Sequence, residues 1–223
     1  MVLINMSTEA SLQALEGLRD LSTLKWYVIP LLAIVLYIYT IEIKKARESG
    51  NWNVVYSGLA LFGMDFINET WNGWVYHLTQ HSAFWTTPGE TALRIMMGWN
   101  VEIVFMFLIS GIVFANALPE DKNAKILGIP NRWALSIGFS VFCVFVEVLL
   151  NIGGLLVWEY PFWNASIAGI WLIFFLGYFH FYVVTFWVHD MRDNKNKVKV
   201  LGIIYGFTII ANIVCLGILG WVY

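Results

Sequence analysis

Residues 133–157 read WALSIGFSVFCVFVEVLLNIGGLLV, a run of 25 residues with one charged side chain, Glu147. About 20 predominantly apolar residues suffice for a helix to cross the hydrocarbon of a bilayer. This run is long enough, yet it keeps an acid that costs roughly 2.5–3.5 kcal/mol at the membrane centre on insertion scales. Working outward in both directions, comparable runs occur at about Trp26–Ile43, Val54–Leu78, Arg94–Leu118, Asn164–Val188 and Val198–Val222.

These runs predict an all-α, polytopic membrane protein of six transmembrane helices in a compact bundle. Ser7–Leu21 before them predicts a short amphipathic helix, with Leu12, Leu15, Leu18 and Leu21 on one side, lying at the membrane interface. Residues 1–25 are therefore expected to be an extracytoplasmic interfacial segment, and residues 26–223 a single six-helix transmembrane domain. Composition agrees: 223 residues are 59% hydrophobic and only 13% charged. A net charge of −2 carries no message about nucleic acid and no basic tract suggests one, so none is expected; the expected partners are the lipid bilayer and a lipid-soluble small molecule. Cys143 and Cys215 stand alone in apolar runs and point to neither a disulfide framework nor a thiol mechanism.

Lys and Arg are retained on the cytoplasmic side of membrane proteins. Lys44, Lys45, Arg47, Lys122, Lys125, Arg132, Arg192, Lys195, Lys197 and Lys199 follow the first, third and fifth runs, which accounts for ten of the 13 basic residues. Those loops are expected in the cytoplasm and both termini outside it, giving a multi-pass integral membrane protein. Thr87, Pro88 and Glu90 read as a cap, a first helical residue and a capping-box acid, so the third helix is expected to begin there.

Glu147 has counterparts on other spans. Glu69 lies nine residues from Leu78, Glu102 eight from Arg94 and Glu147 ten from Val157. At 1.5 Å per residue all three come out roughly 12–15 Å below the outer ends. Asn212 falls in the same layer, with Asp65 and His180 somewhat deeper. At about 100° per residue, Asp65, Glu69, Asn72 and Tyr76 form one stripe with Asn68 at its edge. Ser140, Cys143, Glu147, Asn151, Gly154 and Trp158 form another, Tyr205, Thr208 and Asn212 a third, and Gly177, His180, Val184 and Trp187 a fourth. On the third span Glu102 is expected to face inward beside Trp99, with Asn100 making an interhelical hydrogen bond.

Glu69, Glu147, Glu102, Asp65 and His180 are the candidate catalytic residues. Asn72, Asn151, Asn212, Trp99, Tyr76, Trp158 and Tyr205 are the candidate substrate-binding residues. No Lys or Arg lies deep in any run. A carboxylic acid kept protonated in an apolar pocket donates a proton, a second carboxylate or a histidine takes one, and aromatic faces shelter a developing cation. That chemistry suits isomerisation, hydration or cyclisation of an isoprenoid, sterol-like or other lipid-soluble substrate, with no cofactor expected.

The same acids admit other readings. Asp65, Glu69, Glu102, Glu147 and His180 could ligate divalent metal ions in a carboxylate-bridged dimetal enzyme. They could also relay protons or ions in a transporter, or belong to a structural subunit of a membrane complex. His77 and His81 read as interface residues rather than ligands. His189-Asp190 reads as a solvated helix end, and Trp158–Trp163 as an aromatic interface belt.

Overall fold

The computed structural model describes residues 7–223, so the first six residues of the expected interfacial segment lie outside the described residues. α1 spans Glu9–Glu16 and is capped by the Thr8 side chain, which accepts from the Ser11 amide. It packs through its small residues Ala10, Ser11 and Ala14, while Leu12 stays half exposed. Of the four leucines expected on one side, Leu15 packs against the core beside Ala14, and Leu18 and Leu21 lie beyond the end of the helix.

The long helices are α2 (Val28–Ser49), α3 (Asn53–Thr79), α4 (Val101–Ala117) and α5 (Asn131–Ile152), followed by two helices that contain π segments. One runs as α6 (Ile167–Leu172), a π segment (Ile173–Phe179) and α7 (His180–Asp190). The other is α8 (Asn194–Asn212), which ends in a π segment over Ile213–Ile218. Among the described residues three helices are long and apolar enough to cross a membrane: α5, the α6–α7 rod and α8 with its π end. α4 is a shorter apolar helix.

α3 sits at the centre, packed against α4, α7, α8 and α2. Its contact with α4 is close because two glycines meet there: a Cβ on Gly111 would fall 2.8 Å from the Gly58 Cα. Without side chains at the crossing the two backbones approach directly, the small-residue packing familiar in membrane helices. α4 and α5, by contrast, touch little.

At the end of the bundle that carries α1, the chain builds a cap. It consists of α1, residues 80–100 with the hairpin β1 (Arg94–Met96) and β2 (Trp99–Asn100), residues 153–166, and residues 219–223. Thr86 and Val157 exchange backbone hydrogen bonds of 3.0 and 2.8 Å, joining the loop after α3 to the loop after α5. Arg94 pins the cap together. Its Nε donates to the Thr87 carbonyl at 2.8 Å, Nη2 to Gly89 at 2.7 Å and Nη1 to Ala14 at 3.2 Å. Burial lowers the Arg94 pKa and the Glu102 carboxylate raises it, and the guanidinium starts so far above neutrality that it stays charged.

Several expected boundaries are corrected by this cap. Thr87 starts no helix; α4 begins only at Val101, after Asn100, whose side chain accepts from the Ile103 amide. Asn100 is thus a helix cap and not an interhelical bond, because its short side chain satisfies the first turn's free amides. α5 stops at Ile152 rather than Val157, where Gly153 and Gly154 turn the chain, and Gly154 does so at φ +68°.

The opposite end carries the basic loops. There Arg132 grips Asp190 with two hydrogen bonds of 3.1 and 3.0 Å, and Lys122 lies 3.3 Å from the same carboxylate. His189 donates to Asp190 at 3.0 Å. This half-buried network replaces the solvated helix end expected at His189-Asp190. It ties the start of α5 to the end of α7, the paired geometry for which an Arg fork is suited.

Candidate functional site

The polar stripe of α3 faces inward as its spacing requires. Asp65, Asn68, Glu69 and Asn72 are all at most 3% exposed. A helix that holds these groups in its interior face must supply each with a partner, and the cap supplies most of them. Trp99 Nε1 donates to Asp65 Oδ2 at 2.8 Å, and Trp85 Nε1 donates to Glu69 Oε1 at 2.7 Å. From the other cap loop, Trp158 Nε1 donates to Glu147 Oε1 on α5 at 2.8 Å. Three indoles from non-helical segments thus each hold one acid from a helix.

Asp65, Glu69 and Glu147 line one cavity of about 370 Å³ between α3, α4, α5 and the π segment. That volume falls within the roughly 300–1,000 Å³ of small-molecule sites. Its roof is Trp85, Gly98, Leu156 and Trp163 from the cap, and its walls are mostly apolar, with Phe107 and Ile103 from α4. Gly177, Tyr178 and Phe181 close the side toward the π segment, and the Tyr178 hydroxyl lies beside Glu147. No Lys, Arg or His lines the cavity. Met106, Val113 and Phe142 also line it, yet they are 40%, 50% and 63% exposed on the outer surface of the bundle. The cavity therefore opens sideways between α4 and α5, where those helices barely touch.

One oxygen in this site lacks a partner. Glu69 Oε2 is buried and makes no hydrogen bond among the described residues, although Oε1 of the same group is held by Trp85. Trp163 Nε1, on a ring that is 1% exposed and stacked on Trp85 at 5.7 Å, is likewise without an acceptor. A buried polar atom left unpaired costs about 1–3 kcal/mol, so two in one cavity mark a place where a ligand's polar group gains by entering.

Glu102 does not join the other acids. It stands in the first turn of α4, where Oε1 accepts from Tyr27 Oη at 2.5 Å and from the Ala92 amide at 2.9 Å, and Oε2 accepts from Thr91. These hydrogen bonds fasten the cap loop at Thr91 and Ala92 and the start of α2 to α4, because the hairpin moved the helix start from Thr87 to Val101 and so placed Glu102 at a helix end. His180 is also displaced. A π turn takes one more residue than an α turn and rotates the downstream helix by about 100°. Tyr178 and Phe181 consequently face the cavity, while His180 Nδ1 donates to the Phe175 carbonyl at 2.9 Å. Asn68 satisfies the carbonyls that the π segment leaves open, donating to Leu176 at 2.9 Å.

The remaining candidates are fasteners. Asn72 accepts from the Phe84 amide at 2.8 Å and donates to the Trp85 carbonyl at 2.8 Å, which fixes the loop carrying Trp85. Asn151 donates to the Leu156 carbonyl at 3.0 Å, and the Tyr76 hydroxyl meets Ser7 at 3.1 Å. On α8, Tyr205 donates to the Leu59 carbonyl at 2.7 Å, and Asn212 donates to Thr70 at 2.7 Å while accepting from Tyr223. None of these five lines the cavity. Trp99 and Trp158 reach it only through the acids they hold.

Sequence reasoning missed Trp85, Trp163 and Tyr178. The signal was present: Trp85 and Trp163 fall outside the long apolar runs, near the ends of those that hold the acids, and an indole is a donor only. Among the described residues no group of three or more His, Cys, Asp or Glu side chains is arranged to hold a metal ion.

Comparison with known proteins places the chain without assigning an activity. Residues 8–217 match the profile of a family described as an uncharacterized membrane protein family. A protein of Archaeoglobus fulgidus, described only as an uncharacterized protein, is 44% identical over 217 residues, covering 97% of this chain and all of the relative. No solved structure matches. The chain belongs to that membrane protein family.

Proposed function

We propose that this member of a membrane protein family is a six-span enzyme, with its cap on the outer face, that performs acid–base chemistry on a lipid-soluble substrate. α2, α3 and α4 would complete the six spans alongside the three more apolar helices. The reading rests above all on Glu69, whose Oε2 faces no partner in an apolar cavity that it shares with two further acids and no cation.

An unpaired carboxylate is costly in such a place, so Glu69 serves as the proton donor. Glu147, steadied by Trp158 and beside Tyr178, takes a proton from the substrate. Asp65, held by Trp99, sets the field around Glu69. Trp85 and Phe107 line the cavity and supply aromatic surface to a cation forming between donor and acceptor. One proton enters the substrate at carbon and one leaves the substrate or the attacking water, which fits isomerisation, cyclisation or hydration. The sideways opening lets a substrate arrive from the bilayer.

A test that leaves the substrate open uses a mixture of lipids. Purified protein in nanodiscs is incubated with a total lipid extract in D2O, and lipid masses are compared before and after. The wild type should produce at least one lipid carrying deuterium on carbon, and Glu147→Gln should lose that signal. A folded wild type that leaves every lipid unchanged would falsify the enzymatic reading. Deuteration that disappears on chelation and returns with a divalent ion would replace it with the metal-dependent one.

A further inference from the structure

The two unpartnered atoms of the cavity say more than that something binds. Glu69 Oε2 and Trp163 Nε1 belong to side chains joined through one ring, since Trp85 both donates to Glu69 and stacks on Trp163. An indole N–H only donates, so the group that satisfies Trp163 must carry an acceptor. An ammonium head has none and would leave Trp163 unpaired. A phosphate or carboxylate head would accept, but it would bring negative charge beside three acids with no Lys, Arg or His on the cavity wall. An uncharged oxygen meets both demands: a hydroxyl or carbonyl accepts from Trp163 and bonds to Glu69 as well.

Size fixes the rest of the molecule. About 370 Å³ lies at the small end of ligand sites, too little to enclose a long chain. The cavity's open side is apolar and exposed, at Met106, Val113 and Phe142. A chain attached to the bound head would leave by that side and continue in the surrounding hydrocarbon. We propose that the ligand of this cavity is a single-chain lipid with an uncharged oxygen head, hydroxyl or carbonyl, held between Glu69 and Trp163 with its tail lying between α4 and α5. This rests on the cavity being the working site described above, and it adds the class of molecule that enters it.

The test measures binding separately from turnover. Protein carrying Glu147→Gln, and so without turnover, is loaded in nanodiscs with geranylgeraniol, its monophosphate or the corresponding amine, and the retained ligand is quantified by mass spectrometry. The alcohol should bind at least tenfold more tightly than either charged analogue. Adding Trp163→Phe should weaken the alcohol roughly twofold to tenfold, the loss of one hydrogen bond, and leave the amine unchanged. As a second measurement on unmodified Trp163, the alcohol bearing a diazirine partway along its chain, where the chain passes the cavity mouth, should crosslink to Met106, Val113 or Phe142.

Tighter binding of the phosphate or amine, indifference of the alcohol to Trp163→Phe, or crosslinks confined to α2 or α8 would each overturn the proposal. Alcohol binding as expected, in a protein that deuterates no lipid, would leave this assignment standing and remove the enzymatic one. Deuteration with the wrong head preference would do the reverse.

Discussion

Trp85 Nε1 donates to Glu69 Oε1 at 2.7 Å, leaving Oε2 of the same carboxyl group without a partner. The hydrogen bond divides the group into a held oxygen and a free one. It also makes the free oxygen's direction depend on a loop residue sixteen positions away, and that loop is fixed in turn by Asn72. Trp99 with Asp65 and Trp158 with Glu147 repeat the arrangement. The cap is accordingly the part of the molecule that aims the acids.

Removing the acid and removing its holder should differ. Glu69→Gln keeps the shape but cannot transfer a proton, and should lower the deuteration rate on the order of 10²–10⁴-fold. Trp85→Phe keeps the acid and frees its orientation, so a smaller loss, roughly tenfold, is expected. Lipid mass spectrometry in D2O reads both. Equal losses in the two variants, with circular dichroism unchanged, would show that Trp85 does more than position Glu69.

Glu102 should behave as a fastener. Glu102→Ala deletes the acceptor for Tyr27, Thr91 and the Ala92 amide, and a destabilisation of about 1–3 kcal/mol is expected. Deuteration per folded molecule should stay near that of the wild type. Thermal unfolding in detergent, set beside the rate, checks this; a rate collapse in a variant of normal stability would return Glu102 to the chemistry.

Arg94 tests the cap as a unit. Arg94→Met fills similar space but leaves the Thr87, Gly89 and Ala14 carbonyls without their donor. A loss on the order of 2–4 kcal/mol is expected, concentrated in the cap. Limited proteolysis should cut within residues 80–100 earlier than in the wild type, while the helices stay protected. Simultaneous loss of the whole bundle would mean that the cap does not open separately.

The proposed orientation comes from the alternate basic loops. With Cys143 and Cys215 replaced by alanine, single cysteines at Lys44, Lys125 or Lys195 should react with a membrane-impermeant maleimide only after cells are permeabilised. A cysteine at Phe162, on the exposed part of the cap, should react in intact cells. The opposite pattern would put the cap and cavity on the cytoplasmic side.

Much of the helical architecture is dictated by hydropathy, because a long apolar run has few places to go except a bilayer or a buried helix. The inward face of α3 was equally legible: Asp65, Glu69 and Asn72 recur at helical spacing along an uninterrupted helix, so their angles carry over directly into space. Glu147 on α5 obeyed the same rule.

Angle counting failed where the backbone departed from an α-helix. A π segment turned His180 away and brought Tyr178 in, and a hairpin ahead of Val101 put Glu102 at a helix end. Both departures are set by tertiary contacts, such as Asn68 meeting the π carbonyls and Arg94 gathering carbonyls from α1 and from the loop after α3. Local spacing holds no record of them. Hydropathy and helical period alone established that acids would lie within a helical membrane protein. Which of them share a cavity, which indole holds each one, and which oxygen is left free were settled by the folded chain, because those outcomes depend on loops that have no period to read.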